Sequence, residues 1–199
     1  IPDGETGEAI DVGQFATPQL LDLDGDGDLD LVVGEKNGTL TLFERSSLGT
    51  WSLYSSPVNG DNWGGILVDN LLGINGYSVP ALTGTDDGLR VFVANETGTV
   101  QDFGIATGDW DAVLAEVESA VFGPRNGFRA ASAFADLNGD GLLDAMVGIQ
   151  NGGLLAYQGG TDTVVVDLGP ATLPSMPWRL MPNPGRAEFH WESAQPWTG

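Results

Sequence analysis

The sequence predicts an all-β fold: about three β-propeller blades, part of a larger propeller, built of four-stranded antiparallel sheets with calcium-binding loops in two of the three. Three observations carry this. Residues 16–34 and 130–148 align without a gap at an offset of 114, both running from an apolar strand through an Asp/Gly loop into a second apolar strand. A weaker copy, Val79–Ala94, lies between them. All three copies lead into a glycine turn, at Gly38, Gly98 and Gly152, spaced 60 and 54 residues apart. A repeat of this period, with several short strands and glycine turns per unit, is the mark of propeller blades.

The elements follow in order. In the first unit a strand ending at Leu21 enters the loop Asp22–Asp30, and the run Leu29-Asp-Leu-Val-Val33 leaves it as a second strand. Asn37-Gly38 then turns the chain into Thr39–Phe43, and Thr50–Tyr54 makes an outer strand. The middle unit turns at Thr97-Gly98 into Thr99–Phe103. The third turns at Asn151-Gly152 into Gly153–Tyr157, with Thr163–Asp167 as its outer strand. Between the last two units, Val113, Leu114, Val117 and Val121 share one face of a short helix expected over Trp110–Val121. Asn37-Gly-Thr and Asn95-Glu-Thr match the N-glycosylation acceptor pattern but read as hairpin turns. Three blades fall short of the roughly four to eight of a closed ring. Upstream blades are therefore expected to cover the open faces, in keeping with a chain that opens at Ile1 as an excised or processed piece.

Composition narrows the function. The 199 residues hold 28 acidic against 7 basic side chains, a net charge of −21, 30 glycines and no cysteine. Phosphate binding draws its affinity from Lys and Arg, so nucleic acid is excluded as a partner, and an anionic membrane surface is disfavoured likewise. No apolar run approaches the ~20 residues of a spanning helix, so no membrane insertion is expected. Without cysteine there are no disulfides, zinc–thiolate sites or thiol nucleophiles. Residues 170–199 carry two acids and two bases, leaving 26 acids against 5 bases in residues 1–169. The same thirty residues hold six of eleven prolines and three of six tryptophans. Charge and proline content thus shift together, dividing the chain into blades at 1–169 and a proline-rich tail at 170–199.

The acidic loops hold the most specific chemistry. In Asp22-x-Asp24-x-Asp26-Gly27-x-x-Asp30, side-chain oxygens at positions 1, 3, 5 and 9 can converge on one point, glycine at position 6 permits the sharp turn, and Asp28 at position 7 offers its carbonyl. That number of hard oxygen ligands suits Ca²⁺, which takes six to eight, rather than Mg²⁺. The second copy, Asp136-x-Asn138-x-Asp140-Gly141-x-x-Asp144, differs by Asn at position 3 and by Leu142 at position 7, where only a carbonyl is needed. Four carboxylates within nine residues repel one another unless a cation joins them. Position 12 is Val33 or Val147 rather than Glu, and a strand follows, so neither loop is an EF-hand. The middle copy keeps only Thr83, Thr85, Asp86 and Asp87 in a shortened loop and reads as having lost the metal.

These loops and strands, over about residues 10–158, resemble the FG-GAP/VCBS repeat of integrin α-subunit-like β-propellers. The resemblance implies calcium ligands at Asp22, Asp24, Asp26, Asp28 and Asp30, and at Asp136, Asn138, Asp140, Leu142 and Asp144. It also implies a secreted or cell-surface protein that binds ligands or partners, some members being appended to carbohydrate-active enzymes. In the tail, Trp178-Arg-Leu-Met-Pro182-Asn183-Pro184, followed by alternating Ala187, Phe189 and Trp191, resembles the opening of the type IX secretion C-terminal sorting domain. This implies export across the outer membrane of a Bacteroidota-type bacterium, with the type IX machinery as partner. Met181 stands where that family has Tyr or Phe, and its remaining strands are missing.

No catalytic constellation is present: there is no GxSxG, HExxH or phosphate loop, and His190 is the only histidine. Trp51, Trp63 and Trp110 are candidates for a sugar platform but fit blade core better. The expected function is a non-catalytic, calcium-stabilised module that binds a protein or a glycan. The alternative is the non-catalytic portion of a calcium-dependent polysaccharide lyase or hydrolase.

Overall fold

The computed structural model describes residues 7, 9–68, 75–85, 88–106, 108–117, 129–160 and, as backbone, 178–180. They form three antiparallel sheets and no α-helix. The first sheet is β1 (Thr17–Leu21), β2 (Asp30–Gly34), β3 (Leu40–Arg45) and β4 (Trp51–Leu53), in that order. The second is β5 (Val79–Thr85), β6 (Gly88–Ala94) and β7 (Val100–Ala106). The third is β8 (Ala130–Ala135), β9 (Asp144–Ile149), β10 (Leu154–Gly159) and β11 (Trp178–Leu180). The expected four-stranded units thus hold for the outer two sheets, while the middle one has three strands among the described residues. The expected outer strand Thr163–Asp167 lies outside the described residues; the fourth strand seen is β11, from the segment assigned to the tail. The other tail expectations also lie outside the described residues.

The repeat is visible as register. Gly34 pairs with Thr17 and Leu40, Ala94 with Val79 and Val100, and Gly148 with Ala131 and Leu154. Each set brackets a five-residue turn whose fourth residue, Gly38, Gly98 or Gly152, has φ of +93°, +84° or +91°. L side chains avoid this region. At Gly38 space forbids one as well, since a Cβ would lie 1.9 Å from the Val68 carbonyl oxygen. Buried Glu35 and Asn95 use their side-chain oxygens to accept the N–H groups inside their turns, from Asn37 (2.8 Å) and Thr97 (3.0 Å). Asn95 is therefore a turn residue.

The sheets stack face to face. Val32, Leu40 and Leu42 of the first meet Leu82, Val91, Val93 and Phe103 of the second, sealed by Trp63, Ile66 and Val68 of the connection. The other face of the second sheet (Ala81, Phe92, Ala94, Val100) meets Ala130, Ala145, Val147 and Tyr157 of the third. Phe92 stacks on Phe134 with ring centroids 3.8 Å apart. Full burial of a Leu or Phe side chain contributes about 1.5–3 kcal/mol, so these two interfaces bind the layers. The far face of the first sheet (Leu31, Val33, Phe43, Trp51) is covered by Ile10 and Val12. The strands β1, β5 and β8 touch in sequence along one side, and Gln19 ties two of them: its amide donates to the Leu82 carbonyl and accepts the Leu82 N–H, both at 2.8 Å. The sheets do not close into a ring among the described residues.

The helix expected at Trp110–Val121 is absent from its described part, residues 110–117. Its N–H groups go elsewhere: Leu114 donates to the Gly64 carbonyl (2.8 Å) and Val117 to that of Asp102 (2.7 Å). The apolar spacing serves an irregular strap across the first two sheets. Among the described residues no helix is long and apolar enough to cross a membrane.

Candidate metal centres

Each acidic loop links the first two strands of an outer sheet. Leu21 pairs with Asp30, and Ala135 with Asp144, so eight residues bridge each ladder end. Four hydrogen bonds recur in both loops, and the second adds two more, Asp140 N–H to Asp136 Oδ1 (3.2 Å) and Asn138 Nδ2 to Asp140 Oδ2 (3.0 Å). Gly25 N–H donates to Asp22 Oδ1 (2.8 Å) as Gly139 does to Asp136 Oδ1 (2.7 Å). Gly27 donates to Asp22 Oδ2 (3.2 Å) as Gly141 does to Asp136 Oδ2 (2.9 Å). Asp26 N–H reaches Asp24 Oδ1 (3.0 Å), and Asp140 N–H reaches Asn138 Oδ1 (2.8 Å). Position 5 accepts likewise: Asp28 N–H donates to Asp26 and Leu142 N–H to Asp140. The glycines at positions 4 and 6 of both loops have positive φ, between +78° and +93°.

The ninth residue anchors the loop. Asp30 and Asp144 open their strands at 1% exposure each. Asp30 accepts from Leu23 N–H (3.1 Å) and Arg45 N–H (3.0 Å), and Asp144 from Leu137 N–H (3.0 Å) and Gly159 N–H (2.9 Å). Each carboxylate thus ties its loop to the far end of the third strand. Burial pushes the Asp30 carboxyl above the usual range, against those two N–H groups, with Asp24 and Asp26 adding to the rise. Asp136 is held below it, chiefly by the Gly141 N–H.

Position 7 separates the copies. The Asp28 side chain turns to Arg45, 3.8 Å away, while in the third sheet Gly159 replaces Arg45 and sits against Leu142. A Cβ on Gly159 would lie 3.2 Å from the Leu142 Cβ and 2.3 Å from the Leu143 carbonyl oxygen.

Do the donors fit one ion? One carboxylate oxygen from each of Asp22, Asp24 and Asp30 lies within 4.8 Å of the others. Two oxygens on opposite sides of a Ca²⁺, at 2.3–2.6 Å each, stand about 4.6–5.2 Å apart, so the spread suits a single calcium. Each such oxygen has a second lone pair beyond its N–H bond.

The middle sheet has no such loop. Thr85 pairs with Gly88, leaving two residues between β5 and β6, and Thr83 and Thr85 belong to the strand, Thr85 Oγ1 donating to the Gly88 carbonyl (2.8 Å). Arg90 stands eight residues before Gly98, where Asp30 and Asp144 stand before Gly38 and Gly152. Its guanidinium pairs with the fully buried Asp102, which also accepts the Gly104 N–H (2.8 Å). Sequence reading passed over this pair, although aligning the turns exposes the reversal of charge. Trp51 and Trp63 are buried in the cores, and Trp110 packs on Trp63 and Tyr54 at centroid distances of 6.4 and 5.9 Å. The chain matches no family model, no curated protein and no solved structure.

Proposed function

We propose that this chain is a calcium-binding β-propeller module of a secreted or cell-surface protein. Its two acidic loops hold Ca²⁺, it binds a protein or glycan without catalysing a reaction, and its tail engages the type IX secretion machinery. The observation that carries the calcium reading is the matched bonding of two loops 114 residues apart, with three carboxylates of the first gathered to within 4.8 Å. In each, Asp at positions 1, 5 and 9 and Asp or Asn at position 3 would supply side-chain oxygen and position 7 its carbonyl, while the buried carboxylate at position 9 also fixes the loop to the sheet. Bound calcium would supply the charge that lets these groups stay ionised together. The propeller reading rests on stacked, repeated sheets whose β1, β5 and β8 lie side by side. Isothermal titration of the calcium-stripped protein tests the metal: two sites per chain are expected, falling to one in Asp24→Ala or Asp140→Ala. No calcium heat at millimolar concentration would overturn it.

A further inference from the structure

Among the described residues, three non-glycine residues have positive φ: Phe15 (+61°), Tyr77 (+50°) and Arg129 (+51°). They occupy one repeat position. Each lies two residues before the strand residue paired at the turn, namely Thr17 opposite Gly34, Val79 opposite Ala94, and Ala131 opposite Gly148. The backbone there is fixed by bonds to the preceding unit. Tyr77 and Ser78 donate to the carbonyls of Lys36 and Glu35 (both 3.1 Å), and Arg129 and Ala130 to those of Glu96 and Asn95 (2.8 and 3.0 Å). The repeat interface thus demands a left-handed residue, which glycine would supply without strain. The chain instead places two aromatic rings and a guanidinium.

The three side chains meet. The Arg129 guanidinium carbon lies 3.8 Å from the Tyr77 ring centroid and 4.6 Å from that of Phe15, and the two rings meet edge to face at 4.8 Å. Phe15 remains 53% exposed. Among the described bases, Arg45 and Arg90 pair with carboxylates, whereas Arg129 and Lys36 make no ion pair with a described residue. Both are at this end of the inner strands, Lys36 Nζ donating to Gln14 Oε1 (3.1 Å) next to Phe15. In a chain of net charge −21, two cations that pair with no described carboxylate are a local exception. Strained residues gathered in one cluster point to a site.

We infer that Phe15, Tyr77 and Arg129 form a binding site for a uronic acid unit of an acidic glycan. A guanidinium stacked on rings keeps its N–H edge for a planar carboxylate, which it grips in a fork. The open face of Phe15 takes the flat C–H face of a pyranose. Lys36 supplies a second positive charge at the rim. The calcium loops leave the opposite ends of β1 and β8, so metal and sugar are separable. The inference deepens the binding-module reading and rests on it.

The test is calorimetric titration of the calcium-saturated chain with trigalacturonate, the neutral trigalactoside and a tetraglutamate peptide at 0.15 M salt. Trigalacturonate is expected to bind at least tenfold more tightly than either of the others. Arg129→Met and Phe15→Ser should each weaken it at least tenfold while the calcium-induced rise in melting temperature persists. If Arg129→Met fails to fold, Arg129→Lys, which keeps charge but loses the fork, should still weaken binding. Absent binding of trigalacturonate at millimolar concentration, equal affinity in the folded variants, or a preference for the peptide would each overturn the inference. Those results leave the module reading standing if calcium still stabilises the chain; loss of that stabilisation would sink the module reading itself.

Discussion

Replacing Asp24 by Ala and by Asn separates a calcium site from a solvated acidic turn. Asp22, Asp24 and Asp30 present oxygens within 4.8 Å of one another. Each pair of charges at that distance repels by about 0.9 kcal/mol even at the dielectric of water, or about 2.6 kcal/mol for three pairs. Asp24→Ala removes two pairs, a relief of about 1.7 kcal/mol by the same arithmetic. It also removes the acceptor of the Asp26 N–H bond, a loss of about 1 kcal/mol. The calcium-free variant should therefore melt within a few degrees of the parent. With calcium at one hundred times its dissociation constant, one site contributes about 2.7 kcal/mol, or about 5–11 °C in a domain of this size. Asp24→Ala should lose that increment. Asp24→Asn gives the first loop the position-3 residue of the second, Asn138, and should retain most of it. Calorimetric melting of all three proteins in excess calcium and in EDTA reads these shifts. Equal melting of the parent in both buffers, or a full calcium shift in Asp24→Ala, would refute the reasoning.

Deleting the native protein from Pro182 onward should trap it in the periplasm; normal surface display or release of that truncation would count against the tail's role in export. Arg90→Leu leaves Asp102 buried without its cation and should cost about 2–4 kcal/mol by urea denaturation, less than a wholly buried pair because the Arg90 side chain is 35% exposed. Adding Asp102→Leu should recover much of that loss, and a double variant less stable than the single would be the contrary result. Burial raises the ionisation of Tyr54 and Tyr157 above the ordinary tyrosine value, with Asp111 adding to it at Tyr54. The stability they supply is whole below pH 10 and lost as pH rises through the raised values. Melting temperature should then fall above pH 10, with phenolate absorbance from these two residues appearing at higher pH than from an ordinary tyrosine; phenolate formation by all three tyrosines near pH 10 in folded protein would contradict it.

The repeat made most of the fold legible. Strands and turns recur with the same spacing because each unit solves the same pairing problem, and the glycine of each turn is required by its positive φ. The loops were legible because Asp, Asn and Gly recur at the same intervals in both copies. What stayed hidden depends on contacts between units. The valines and leucine at 113–117 have helical spacing, but the Leu114 and Val117 N–H groups are taken by the Gly64 and Asp102 carbonyls of neighbouring segments. The third sheet takes its fourth strand from Trp178–Leu180, across a connection whose length no local pattern reveals. Phe15, Tyr77 and Arg129 share no chemical type, so only their backbone and its bonds to the preceding unit show that they are one position.

The position eight residues before the turn shows how the calcium reading and the fold constrain each other. There the outer sheets hold Asp30 and Asp144, buried, each spending both oxygens on backbone N–H groups that close the loop against the third strand. In the first loop the exposed carboxylates of Asp22 and Asp24 stand within 4.8 Å of the buried Asp30, a crowding of like charge that the proposed calcium would relieve. The middle sheet shortens the loop to two residues and has nothing to close. Its third strand places Asp102 in the core instead, and the same position supplies Arg90 to meet it. All three units thus hold acidic side chains near their sheets; on the calcium reading proposed above, the outer loops would take their counter-charge chiefly from solution, while the middle unit takes it from Arg90. If calcium binds as proposed, metal dependence should then belong to the outer loops alone, because the middle sheet already carries its counter-charge in Arg90.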